Sequence, residues 1–118
     1  MGGHTLARHV GKTDRELFDR LRRERQIASA STYSDRETAE QVIGTVLESP
    51  GRSFETWLRR KGPRPNFVLW YASDRPIGRT VSRGRTSSSP CRFARIVLRW
   101  DERRGKYYVL TSYPEEHR

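Results

Sequence analysis

Three kinds of side chain in this sequence are suited to moving protons around a phosphate. Two of the three histidines, His4 and His9, lie in the opening run GGHTLARHVGKT. Imidazole titrates near neutrality, which suits general acid–base work. At the far end, YYVLTSYP sets Thr111 and Tyr113 two residues apart in a strand-like run. Strand alternation puts both on one face, where two hydroxyls can hold a phosphate oxygen and orient a proton donor. The ordinary liking of Thr and Tyr for sheets accounts for the same pair. Arg20 flanks a stripe of Leu17 and Leu21, and Lys12 sits beside Gly11; both cations are candidates for phosphate contact. Arg20 also has competing partners in Glu16 and Glu24, each four residues away. Imidazole, cations and hydroxyls on a basic body point to metal-free chemistry on a phosphodiester. RNA is the natural substrate for it, because its 2′-hydroxyl is a built-in nucleophile.

The two histidines do not share one helical face. Five residues apart on a 3.6-residue turn, they diverge by about 140°. A short helix over 3–10 would bury Leu6 and Val10, turning His9 toward the body and His4 outward or into a capping position. A hydrogen-bonded structural histidine is the competing reading of each. His117, at the extreme C-terminus, is expected to be solvated.

The chain has 118 residues, enough for one domain spanning 1–118 with a modest core. Its net charge is +10. Residues 1–60 contribute +2 of this and residues 61–118 contribute +8. The excess therefore falls in the half that reads as strands, and a basic sheet face matches a polyanion. Solubility or an arginine-rich composition accounts for the same charge without a ligand. The lone Cys91 leaves no internal disulfide. No stretch is long and apolar enough to cross a bilayer, and residues 1–12 have no apolar core of a signal peptide. The His and Cys spacing gives no zinc site. Walker, dinucleotide and nucleophile-elbow motifs are missing, as is a two-metal carboxylate cluster.

Helical periodicity comes first along the chain. T-D-R-E is a capping box with Thr13 as cap and Glu16 three residues on, opening a helix to about Arg25. IASAST (27–32) reads as a short strand. Ser34, with Glu37 three residues later, reads as the cap of a helix reaching Glu48 that buries Ala39, Val42, Ile43, Val46 and Leu47. A helix over 53–60 carries Phe54, Trp57 and Leu58, and KGPRPN breaks it. The period then becomes two: strands over 67–73, 77–83, 92–101 and 106–113, with GRTSSSP (84–90) as a mobile loop. The class is α+β, N-terminal helices packed on a C-terminal antiparallel sheet.

GGHTLARHVGKTDRELFDRL, ASTYSDRETAEQVI, IGRTVSRG and YYVLTSYP, in that order, resemble the bacterial ribonuclease A-like toxin domain found at the C-terminus of contact-dependent growth inhibition proteins and other polymorphic toxins. The resemblance covers Gly2 to Pro114. It implies a kidney-shaped α+β fold and a metal-independent endoribonuclease, with no cofactor. It implies a catalytic histidine, arginine, threonine and tyrosine. Carried over, these are His9 of the HVGK run, Arg20 of LFDRL, and Thr111 and Tyr113 of the closing strand. A spacing of eleven links both His4 to Arg15 and His9 to Arg20; the helical-face argument favours the second pair. The resemblance also implies a cognate immunity protein, which the charge suggests is acidic. It further implies a toxin delivered as part of a larger effector into the target-cell cytoplasm, where it is expected to act on RNA as a monomer. No membrane partner is expected, since no basic amphipathic helix with bulky aromatics on its other face is seen. The alternatives are a non-catalytic RNA-binding module, using the basic sheet with Tyr107 and Tyr113, and an interaction domain whose charge is incidental.

Overall fold

A computed structural model describes residues 9–118. His4, and residues 3–8 of the expected first helix, lie outside the described residues. His9 itself is in a turn, and Val10 forms an isolated parallel bridge with Tyr33.

Helix α1 spans Asp14–Arg23 and opens with the expected capping box: Thr13 Oγ1 accepts from the Glu16 N–H, and the Glu16 carboxylate accepts from the Thr13 N–H. Its Leu17 and Leu21 are buried with Ala30 and Val81 in a small cluster. Strand β1 (Ser29–Tyr33) follows. Helix α2 covers Arg36–Glu48, capped by Asp35 rather than Ser34. The Asp35 carboxylate reaches the Thr38 N–H at 2.7 Å, so the helix starts one residue later than Ser34 would allow. Helix α3 (Arg52–Arg59) buries Phe54 and Trp57.

Strands β2 (Phe67–Ala72), β3 (Gly78–Ser82), β4 (Ser89–Cys91), β5 (Phe93–Asp101) and β6 (Lys106–Glu115) complete the fold. They do not make one sheet. Two three-stranded antiparallel sheets form instead, in the orders β1-β3-β4 and β2-β5-β6. The chain is α+β as its periodicity indicates, but β1, lying between the helices, joins β3 and β4 in a sheet separate from that of β2, β5 and β6. The expected loop over 84–90 is shortened by β4, whose Ser89 and Pro90 pair with β3. Pro90 is tolerated because β4 is an edge strand.

The larger core lies between α2, α3 and the second sheet. Val42, Val46, Phe54 and Trp57 meet Leu69, Ala94, Ile96 and Leu98 there. The two sheets meet where β1 and β3 both contact β6. Gly78 permits that approach. A Cβ there would stand 2.2 Å from the Thr32 carbonyl oxygen and 2.8 Å from Pro114 Cγ. Among the described residues no helix is long and apolar enough to cross a membrane.

Candidate active site

Strand β6 changes faces partway along. At its start, Tyr107 pairs with Trp100 and Val109 with Leu98, and both pack on the core. Strict alternation would send Thr111 and Tyr113 into that core as well. The register instead shifts: Leu98 pairs with Val109 but Val97 with Thr111, leaving Leu110 as an extra residue. A bulge of this kind moves every later side chain to the opposite face. Ser112 and Pro114 therefore turn inward and are fully buried, opposite Ile96 and Ala94. Thr111 and Tyr113 turn outward into a cleft.

His9 reaches the same cleft by a backbone clasp on β1. The Tyr33 N–H donates to the His9 carbonyl at 2.7 Å, and the Gly11 N–H donates to the Tyr33 carbonyl at 3.0 Å. Buried Thr32 adds to the clasp, accepting from the Lys12 N–H at 3.0 Å. His9 is 6% exposed. Its ring centroid lies 5.7 Å from that of Tyr113, with the planes tilted by 43°. The same Tyr33 that holds His9 by its main chain bonds Ser112 by its hydroxyl, at 2.6 Å. Burial pushes the Tyr33 phenol up to about 12, only partly countered by that bond.

Arg20 enters from α1. The stripe of Leu17 and Leu21 seats the helix on β1 and β3, and Arg20 lies beside it on the cleft side. Its Nε donates to the Glu24 carboxylate at 2.8 Å. The pairing with Glu24 and the place in the cleft hold together: one carboxylate orients a guanidinium that still lines the cavity. Tyr113 has a tether of its own, since Arg95 donates to its hydroxyl oxygen at 3.4 Å. A guanidinium has no acceptor, so the phenolic proton is left to be given elsewhere.

The cleft has a volume of about 1120 Å³ and brings His9, Arg20, Thr111 and Tyr113 together. Lys12 is not among its lining residues. Gly11, with φ of +64°, turns the chain away after His9, so Lys12 lines two separate, smaller depressions beside Arg79 and along α1. Arg15, the arginine paired by spacing with His4, is exposed and does not line the cleft. Sequence reasoning missed the hydroxyls of Ser31 and Thr80 on the floor, both buried. Pocket-facing alternation of β1 and β3 was the available signal, but it needed the pairing of the two strands. It also missed Glu115 and Glu116 on the rim, beside His117. Glu115 faces Arg95 at 3.7 Å and Glu116 holds His117 at 3.0 Å. The charge around the cleft is thus mixed, not uniformly positive. Among the described residues no three His, Cys, Asp or Glu side chains cluster so as to hold a metal ion.

A family model for the bacterial CdiA-CT RNAse A domain matches residues 3–114. The crystal structure of a CdiA-CT/CdiI complex from Y. kristensenii 33638 contains a chain similar to this one. The two are 36% identical with a TM-score of 0.84, over 96% of this chain and 99% of that one. No curated protein matches the chain.

Proposed function

The chain belongs to the bacterial CdiA-CT RNAse A family, a group of ribonuclease A-like toxin domains of contact-dependent inhibition, and from that footing we propose a metal-independent endoribonuclease that cleaves RNA by attack of its own 2′-hydroxyl. One observation carries the reading: an imidazole, a guanidinium and two hydroxyls from distant parts of the sequence line a single cleft.

His9 takes the proton of a ribose 2′-hydroxyl. The freed oxygen attacks the adjacent phosphorus, the O2′–P bond forms, and the P–O5′ bond breaks. Arg20, held by Glu24, offsets charge on the phosphorane; a preorganised donor of this kind contributes roughly 3 kcal/mol. Thr111 positions a non-bridging oxygen. Tyr113, its oxygen already accepting from Arg95, gives its proton to the departing 5′-oxygen or orients the group that does. The products are a 2′,3′-cyclic phosphate and a 5′-hydroxyl. Lys12 takes no step in this chemistry.

The domain acts as a monomer in the cytoplasm of a target cell, carried there as the C-terminal part of a larger effector. A cognate acidic immunity protein covers the cleft. Support for it comes from the similar chain having been solved with CdiI and from the net charge of +10. Wild type and His9→Ala, each incubated with total RNA in EDTA, test the reading: the first degrades the RNA and the second leaves it intact. Loss of wild-type cleavage in EDTA overturns metal independence.

A further inference from the structure

One rung of the second sheet carries Trp70 on β2, Arg95 on β5 and Tyr113 on β6, each directly opposite the next. All three are half-buried and alternate with the buried Leu69, Ala94 and Ser112, so they stand on the face away from the core. The Arg95 guanidinium lies 4.7 Å from the centroid of the Trp70 indole and 5.9 Å from that of Tyr113. The adjacent rung is Val68, Val97 and Thr111. Val68 is 42% exposed, the large hydrophobic that the described residues leave open to solvent. Arg118 stands 5.7 Å over the same indole.

Trp70 stands half-buried on the face of the sheet away from the core, with the guanidinium groups of Arg95 and Arg118 beside its ring. Trp70 lies outside both core clusters, and Arg95 is tied only loosely to its polar neighbours, at 3.4 Å from Tyr113 and 3.7 Å from Glu115. Aromatic rings interleaved with guanidinium groups are the surface on which unpaired bases stack, because every base has a π-face. We propose that the Trp70–Arg95 rung, continuous with the cleft through Tyr113, is a stacking subsite for an unpaired base flanking the scissile phosphate. This rests on the ribonuclease reading. Trp70 lies two strand spacings from Tyr113, about 9–10 Å, so the stacked base sits beside the cleft and not in it. Glu115 offsets part of the Arg95 charge, which favours a flat base over a second phosphate at this rung. A duplex, whose bases are already stacked on one another, has nothing to offer the subsite. It therefore selects single-stranded RNA.

A short single-stranded 2′-O-methyl oligoribonucleotide is the probe, since it cannot supply the attacking hydroxyl. Its affinity is measured by anisotropy for wild type, Trp70→Leu and Trp70→Phe, beside a fully paired duplex of the same sequence. Trp70→Leu weakens single-strand binding roughly five- to a hundredfold, the range of one stacked base; Trp70→Phe retains most of it, and the duplex does not register either change. Should Trp70→Leu melt early, indole fluorescence reads the same contact: binding quenches wild-type emission, and Trp70→Phe loses that quench. Equal affinity in wild type and Trp70→Leu, an equal loss on duplex, or a quench unchanged in Trp70→Phe overturns the subsite. Weakened capture of the cognate immunity protein with RNA binding intact also overturns it, and assigns the rung to that partner. Wild type that neither binds the probe nor cuts unmodified RNA removes the ribonuclease reading instead.

Discussion

Tyr33 and Ser112 share a hydrogen bond of 2.6 Å between two buried hydroxyls, and that bond joins the two sheets directly behind the cleft. Ser112 stands between Thr111 and Tyr113, while the main chain of Tyr33 clasps His9. One residue thus ties both halves of the proposed site.

Removing either hydroxyl strands the other in a dry interior. Tyr33→Phe is expected to cost about 1–3 kcal/mol, the desolvation cost of an orphaned polar group. Urea denaturation measures it as a lower midpoint with an unchanged slope. Ser112→Ala costs a similar amount, and the double variant recovers part of the loss. Cleavage falls in both single variants, because the strand that carries Thr111 and Tyr113 loses its anchor.

The proposed roles of His9 and Arg20 differ in size. Loss of a positioned proton acceptor typically costs 10²–10⁴-fold in rate, and His9→Ala is expected to fall in that range. Loss of one preorganised donor costs about 10²–10³-fold, which sets the expectation for Arg20→Ala. Arg20→Lys is not a rescue, since the Nε that holds Glu24 goes with the guanidinium. Steady-state cleavage of a fluorogenic RNA, with melting curves as the control for folding, checks all three. Full activity in Arg20→Ala removes the arginine from the chemistry.

Deleting Leu110 tests the bulge. Without the extra residue the ladder closes regularly, Val109 opposite Leu98 and Thr111 next to it opposite Val97, so plain alternation holds Thr111 and Tyr113 outward and Ser112 and Pro114 inward. The expected outcome is retained facing and retained cleavage, with strand content by circular dichroism unchanged. A deletion variant that folds, by circular dichroism and melting curves, but no longer cuts shows that the facing of the two hydroxyls does not suffice and that the kink of the bulge itself is needed.

How much of this was legible beforehand depends on how local each feature is. Ala94, Ile96 and Leu98 alternate within a single strand, so β5 was readable. The T-D-R-E capping box is complete within four residues, so the start of α1 was readable too. Leu110 could not be identified as a bulge, because a bulge is defined by the partner strand, and pairing with β5 is not written in β6. The split into two sheets is non-local in the same sense. Ser34 and Asp35 are both good caps, and the choice between them turns on where α2 begins. Pro90 suggested a loop until its place at a sheet edge was known. His9, Arg20, Thr111 and Tyr113 could be nominated by residue type and resemblance, whereas the Tyr33 anchor that joins them gave no signal beyond a Tyr just past the short strand expected over 27–32.

Stability should fall on the alkaline side. Burial pushes the Tyr33 phenol from 10.0 up to about 12, and burial, with Glu116 and Glu115 adding to it, pushes the Cys91 thiol from 9.0 up to about 12. Both groups hold their protons more tightly folded than unfolded. Their contribution is therefore complete below about pH 9 and is lost progressively as pH rises toward 12. Urea midpoints measured from pH 7 to 11 should decline above pH 9, less steeply in Tyr33→Phe. The same burial predicts that a thiol reagent modifies native Cys91 far more slowly than the unfolded chain. Rapid labelling of the native protein would contradict it.

The 2′-hydroxyl is the attacking group in the proposed chemistry, and a single atom in the substrate interrogates it. A short RNA carrying one 2′-deoxy residue at the scissile position, assayed in EDTA beside its unmodified counterpart, is expected to remain whole while the counterpart yields a 2′,3′-cyclic phosphate and a 5′-hydroxyl. Cleavage of the deoxy substrate at that position would contradict the assignment of His9, Arg20, Thr111 and Tyr113 to transfer by the neighbouring hydroxyl.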